Sequence, residues 1–191
     1  MELLNLTIHR RSKNLARRVW ISLVMSALLF FSALHLPAQT ATSKENQVKA
    51  LFLYSFSQFV EWPAGAFPDP QMPLVIAILG DDPFGAYLDE IVRGEKVHNR
   101  PLLVQRVYRV ADIRTCHILF VSQSESNRLE QILGNLKDRP ILTVGEVGNF
   151  TQRGGMIRFF TDRNKVRFEV DQESARAANL TISSKLIRTA E

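Results

Sequence analysis

The chain has 191 residues, with 24 basic and 19 acidic side chains and a net charge of +5, which is enough for one domain plus a short extra segment. Five of the basic residues and one of the acidic ones fall within residues 1–41, so the remainder carries only about +1, and the charge balance gives no support to a nucleic-acid partner. Cys116 is the only cysteine, so no internal disulfide can form and the domain must be held by its core.

In chain order, the first feature is a basic cluster, Arg10, Arg11, Lys13, Arg17 and Arg18. An apolar run follows from Val19 to Leu36, and then the small or polar residues Pro37 to Ala41. A positive region, an apolar stretch and a small-residue end form the pattern of a secretory signal. Cleavage is placed after Ala38 or Ala41, although Leu36 or Gln39 then stands at the −3 position in place of a small residue, and an uncleaved anchor is the alternative. Residues 1–41 are therefore read as a signal peptide for export from the cytoplasm, and residues 42–191 as a single α/β domain.

A helix is predicted from Lys44 or Glu45 to Glu61, because Val48, Leu51, Phe52, Phe56, Phe59 and Val60 share one face at helical spacing. Leu53 and Tyr54 widen the apolar surface, so this helix is buried on more than one side, in the core or at a dimer contact. Trp62-Pro63 ends it, and Ala64 to Pro73 reads as a loop punctuated by Gly65, Pro68 and Pro70. Leu74 to Leu79 is an uninterrupted apolar run that stops at Gly80-Asp81-Asp82, the pattern of a strand covered on both faces. A helix over Phe84 to Arg93, a strand over Arg100 to Val107, a strand over Ile118 to Ser122, a helix over Ser126 to Leu136 and a strand over Pro140 to Val144 follow. Met156 to Phe160 and Val166 to Val170 flank Asp162-Arg163-Asn164-Lys165, which predicts a hairpin. The last helical region runs from about Asp171 to Ala190 with a break near Asn179. Strands alternating with helices give the fold class: α/β, a mainly parallel sheet flanked by helices, with a C-terminal antiparallel hairpin at the sheet edge.

The catalytic inventory is poor. His98 and His117 are the only histidines beyond the signal, and no nucleophile elbow, zinc-protease helix or Cys/His ligand set is present. No catalytic residue, metal site or cofactor is assigned, and the chain is not read as an enzyme. Gly80-Asp81-Asp82 after a buried strand could cradle a polar ligand or simply form a tight turn ahead of a helix. His117 inside an apolar run reads as a hydrogen-bonded structural histidine, and Cys116 as a small buried residue. Trp62 beside a Pro-rich loop is either a core aromatic or a stacking surface for a partner. Arg158 and Arg167 could together hold an anion, or form a solvated face with Glu169 as counter-charge.

An ordered set of segments then resembles a known family. It comprises Lys49-Ala50, Phe59-Val60-Glu61-Trp62-Pro63, Ile78-Leu79-Gly80, Cys116-His117-Ile118-Leu119-Phe120, Ile141-Leu142-Thr143-Val144, Gly154-Gly155-Met156-Ile157, Val166-Arg167-Phe168-Glu169-Val170, Ala175-Arg176-Ala177-Ala178 and Ile182-Ser183-Ser184-Lys185-Leu186. In this order the chain resembles the YfiR-like periplasmic regulators. The resemblance implies a regulator that restrains an inner-membrane diguanylate cyclase through its periplasmic sensor region, lowering cyclic di-GMP and biofilm formation. It also implies a homodimer and relief of restraint by an outer-membrane lipoprotein. The best-known relatives carry further cysteines in disulfides; with Cys116 alone, that redox feature does not transfer. On this reading Tyr54, Trp62, Phe67, Arg158, Arg167 and Glu169 are the partner- or ligand-binding candidates. A ligand-sensing periplasmic protein working with another membrane receptor, such as a histidine kinase, is the alternative.

Overall fold

The computed structural model describes residues 37–190, with side chains from Lys44 onward; of the predicted signal, residues 1–41, all but the last five residues lie outside them, and those five open the first helix. The chain divides at Thr42 into two units, of which Ser43–Glu191 is the α/β unit described below. Among the described residues no helix is long and apolar enough to cross a membrane.

Among the described residues, five helices and nine strands follow in chain order: α1 (Pro37–Phe59), β1 (Val60–Glu61), β2 (Leu74–Leu79), α2 (Ala86–Val92), β3 (Lys96–Val97), β4 (Arg100–Val107), β5 (Ile118–Val121), α3 (Leu129–Leu136), β6 (Leu142–Gly145), β7 (Ile157–Asp162), β8 (Lys165–Val170), α4 (Gln172–Ala177), β9 (Thr181–Ile182) and α5 (Ser184–Ile187). Seven strands form one sheet in the order β3-β4-β2-β5-β6-β7-β8, and β1 pairs with β9 in a small separate sheet. The four central pairings, β4–β2, β2–β5, β5–β6 and β6–β7, are parallel. Both edges are antiparallel: β3 against β4, and β8 against β7. The sheet is thus mixed, where the sequence pattern predicted a mainly parallel one with a single hairpin edge. The unpredicted edge is a hairpin too short to show alternation. Its turn residues, His98 (φ 49°) and Asn99 (φ 63°), both take the left-handed backbone that a two-residue hairpin turn requires, as do Arg163 (φ 48°) and Asn164 (φ 60°) in the predicted hairpin.

Every residue of β2 is buried, and its alternation divides the core. Leu74, Ile76 and Ile78 point to one face with Ile118, Phe120, Leu142 and Val144. Ala77 and Leu79 point to the other with Leu119 and Val121. The first face is covered by α1 and α2, through Leu53, Phe56, Leu88 and Val92; the second by α3, through Leu129, Ile132 and Leu136. The chain leaves β2 toward β4 through α2 and leaves β5 toward β6 through α3. A reversal of direction with helices on opposite faces follows from the fixed hand of parallel crossovers.

α1 is seated on the β7–β8 hairpin by aromatic contacts. Phe52 and Phe56 each meet the Phe168 ring edge-on at 5.2 Å, and Phe56 stacks on Phe159 at 5.7 Å. Lys49, almost fully buried on this helix, is neutralised by Glu45 (2.8 Å) and by Glu146 just after β6 (2.6 Å). Burial works against its charge, but the hydrogen bonds to Glu146 and Glu45 outweigh it and the Lys49 pKa ends above its ordinary value. The helix ends at Phe59, two residues before the predicted end, because Val60 and Glu61 pair with Ile182 and Thr181 while Ser183 N–H bonds the Phe59 carbonyl at 2.9 Å. The second half of the predicted terminal helix is thereby replaced: Asn179 turns left-handed (φ 58°) and β9 and the short α5 follow.

Candidate interaction site

The segment between β1 and β2 would be free to move if nothing held it, since it contains four prolines and a glycine. Its anchor is a stack of side chains at the amino ends of the central strands. Trp62 follows β1, Phe67 lies in the loop, Arg100 opens β4 and His117 immediately precedes β5. The Phe67 ring lies flat on the His117 imidazole, with centroids 4.2 Å apart and planes 7° from parallel. The Arg100 guanidinium sits 4.2 Å from the Phe67 centroid. Trp62 meets Phe67 and His117 edge-on at 6.3 and 6.2 Å, and its Nε1–H donates to the His117 carbonyl at 3.2 Å.

Hydrogen bonds fix each member. His117 is 2% exposed. Its Nδ1 accepts the Val75 N–H at 3.0 Å, which places the ring proton on Nε2, where it points to the Ala66 carbonyl at 3.2 Å. Burial, with a smaller contribution from the Arg100 charge, pushes the His117 pKa below its ordinary value, so the ring is neutral. Arg100 turns its Nη1 toward the carbonyls of Asp69, Pro70 and Met72, at 2.9, 3.0 and 3.0 Å. The loop is thereby pinned by a cation stacked on its own aromatic residue. Trp62, Pro63 and Phe67 are half-buried, while Ala64, Gly65 and Pro68 to Pro70 are exposed around them. The result is a rigid aromatic rim whose outer border is small residues and proline. Tyr54 belongs to the same core cluster from the α1 side. Its hydroxyl donates to Glu95 Oε2 at 2.9 Å, and that bond raises the phenol pKa.

Arg158, Arg167 and Glu169 lie elsewhere, at the opposite edge of the sheet. Pairing sets Arg158 across from Glu169 and Phe160 across from Arg167, so the three share one face of the hairpin. Arg158 grips Glu169 through Nε and Nη2 at 2.7 and 3.0 Å, and Thr151 Oγ1 donates to the same carboxylate at 2.5 Å. The Arg158 bond holds the Glu169 pKa below the usual carboxylate range. Arg167 pairs with Asp162 at 3.3 Å. Arg158 and Arg167 are therefore diagonal neighbours, each with its own carboxylate, rather than a joint clamp. The six sequence candidates fall in three places: Trp62 and Phe67 in the amino-end stack, Tyr54 on α1 against Glu95, and Arg158, Arg167 and Glu169 on the hairpin.

Arg100 is the member that sequence reasoning missed. Nothing in its spacing to Trp62, Phe67 or His117 marks it, because the four meet only through the strand order. Asp82, weighed as a ligand cradle, is occupied: Oδ1 accepts the Phe84 N–H at 2.7 Å and Oδ2 accepts Arg106 Nε at 2.8 Å. Arg106 also spans both oxygens of Asp89 on α2, at 2.9 and 2.5 Å, so this network clamps α2 to β4. Helix α2 starts at Ala86, with Gly85 and not an aspartate at its cap. Among the described residues no group of three or more His, Cys, Asp or Glu is placed to hold a metal ion. Cys116 is buried, bonded through Sγ to the Ile118 carbonyl at 3.2 Å, and burial pushes its pKa up to about 12; such a thiol is inert.

A family model described as YfiR/HmsC-like matches residues 46–191, which span α1 through the C-terminus. No curated protein matches the chain.

Proposed function

The chain belongs to the YfiR/HmsC-like family of periplasmic regulators of cyclic di-GMP signalling, and from that premise we propose that it restrains an inner-membrane diguanylate cyclase by docking on the cyclase's periplasmic sensor region. The family's members are regulators rather than enzymes, and a regulator of this kind requires a shape, not a reactive group. The observation that carries the proposal is the aromatic rim of Trp62 and Phe67, held rigid by Arg100 and His117. Rigid, half-buried aromatic residues ringed by small exposed ones are the usual anchors of protein interfaces. Tyr54 on α1 is a separate candidate contact, and self-association through the exposed Val48 and Leu51 of the same helix gives the homodimer.

The test is genetic and direct. Deleting the gene should raise cyclic di-GMP and surface attachment, and the purified domain should bind the periplasmic region of the cyclase it restrains. Unchanged cyclic di-GMP in the deletion strain refutes the proposal. Capture of a histidine kinase in place of a cyclase transfers the same docking surface to the other class of receptor.

A further inference from the structure

At the opposite end of the sheet from the aromatic rim, α3 and the segment crossing from β4 to β5 do not close on each other. They leave a cavity of about 420 Å³, within the range of small-molecule sites. It opens at the carboxyl end of β2, beside the chain leaving β5. This is the point where the connections diverge to opposite faces, and crevices there are the usual ligand sites of open α/β sheets.

The lining has two characters. Leu79, Ile113 and Ile132 make an apolar floor, and Arg109, Arg128 and Arg139 stand around it with a single carboxylate, Glu125. The three guanidinium groups are not equivalent. Arg109 is engaged by both oxygens of Asp112, at 2.9 and 2.8 Å, and Arg128 by Glu125 at 2.5 Å. Arg139 is half-buried, donates one long bond (3.3 Å) to the Ile113 carbonyl, and has no carboxylate partner among the described residues. A partly desolvated cation with donors to spare beside an apolar floor is incomplete by itself.

We propose that this cavity binds a small organic anion, with its carboxylate on Arg139 and its apolar body on Leu79 and Ile132. The inference is independent of which membrane protein the domain docks on.

Benzoate is a suitable probe, followed by amide and arginine Nε chemical shifts, with benzamide and inorganic phosphate as parallel arms. Benzoate is expected to shift Leu79, Ile132 and Arg139 saturably. Benzamide, lacking the charge, and phosphate, lacking the ring, are each expected to bind ~10-fold more weakly or worse. Arg139→Gln should weaken benzoate by a similar factor. Because Arg139 also steadies the Ile113 segment, Gln131→Glu is the second variant: it is on the exposed side of α3, puts a negative charge at the mouth, and should also weaken benzoate. The proposal is overturned if benzoate fails to saturate these positions, if either parallel arm binds as tightly, or if both variants bind benzoate as the parent does.

Discussion

The Trp62–Phe67–Arg100–His117 cluster is most exposed to chemistry at one atom, His117 Nδ1. It accepts the Val75 N–H, so a second proton there would point one donor at another. Burial already disfavours the imidazolium, and the folded pKa lies below its ordinary value. In the unfolded chain His117 titrates near 6.5. Between the folded value and 6.5 the unfolded state binds a proton that the native state refuses, so stability is full above pH 6.5 and is lost as pH falls through it. The carboxylates whose pKa values lie below the ordinary range, Glu45, Asp89, Asp112 and Glu169, lose their contributions only at still lower pH. Urea unfolding at pH 7.5, 6.5 and 5.5 should therefore show stability declining, at no more than about 1.4 kcal/mol per pH unit for one proton. His117→Gln should be less stable at pH 7.5 yet flatter across this window. An equal slope in both proteins would assign the dependence to another group.

At the scale of elements, the fold was legible where a pattern is long enough to carry its own burial. Leu74 to Leu79 reads as a doubly covered strand because all six residues are apolar, and all six are buried. The β7–β8 hairpin reads from alternation and from Arg163-Asn164 at its turn. The two-residue strands β1, β3 and β9 were invisible, since such pieces pair only because tertiary packing brings their partners alongside. The start of α3 was misread for a related reason: Gln123–Arg128 forms a tighter 3-10 turn, which seats Ser124 and Glu125 against Gly80. An added Cβ at Gly80, where φ is +90°, would lie 2.4 Å from Ser124 Oγ. The candidate site is legible in part: Trp62, Phe67 and His117 stand out by residue type and place in the sequence, but Arg100, which joins them, is set by strand order and not by spacing. Gly154-Gly155 illustrates the same limit. A glycine pair before a strand suggests a backbone requirement, which Gly154 meets with φ +94°. For Gly155 the requirement is space, because a Cβ there would stand 2.1 Å from the buried Phe150 ring, and one at Gly145 would stand 2.5 Å from it. Gly155→Ala should accordingly cost about 1–3 kcal/mol by overpacking, read as a lowered denaturant midpoint at constant slope. Phe150→Leu in the same chain should recover part of that loss, and strict additivity of the two substitutions would show that the ring is not the obstacle.

For the whole molecule, the proposed restraint sets a quantity that the aromatic rim must supply. Holding a cyclase ~99% inactive from an even starting balance requires a preference for the inactive state of about 2.7 kcal/mol. Truncating a central aromatic anchor of an interface costs about 2 kcal/mol or more, close to a 30-fold change, which would relax 99:1 to about 3:1. Trp62→Ala should therefore raise the active fraction of the cyclase from ~1% to about a quarter, against about one half when it is unrestrained. Trp62 also bonds the His117 carbonyl, so this variant loses some stability, and its thermal midpoint must be shown to lie above the assay temperature. Pro68→Glu separates the two effects. Pro68 is exposed beside Phe67, so a charge there leaves the stack intact while placing an unpaired carboxylate against any surface that covers the rim. If restraint is exerted through this end of the sheet, both variants release the cyclase and lower affinity for its periplasmic region, and Tyr108→Ala, exposed just past the carboxyl end of β4 at the far end, leaves both unchanged. Full restraint by a folded Trp62→Ala and a folded Pro68→Glu protein would remove the aromatic rim from the interface and leave the hairpin face of Arg158, Arg167 and Glu169 as the docking surface.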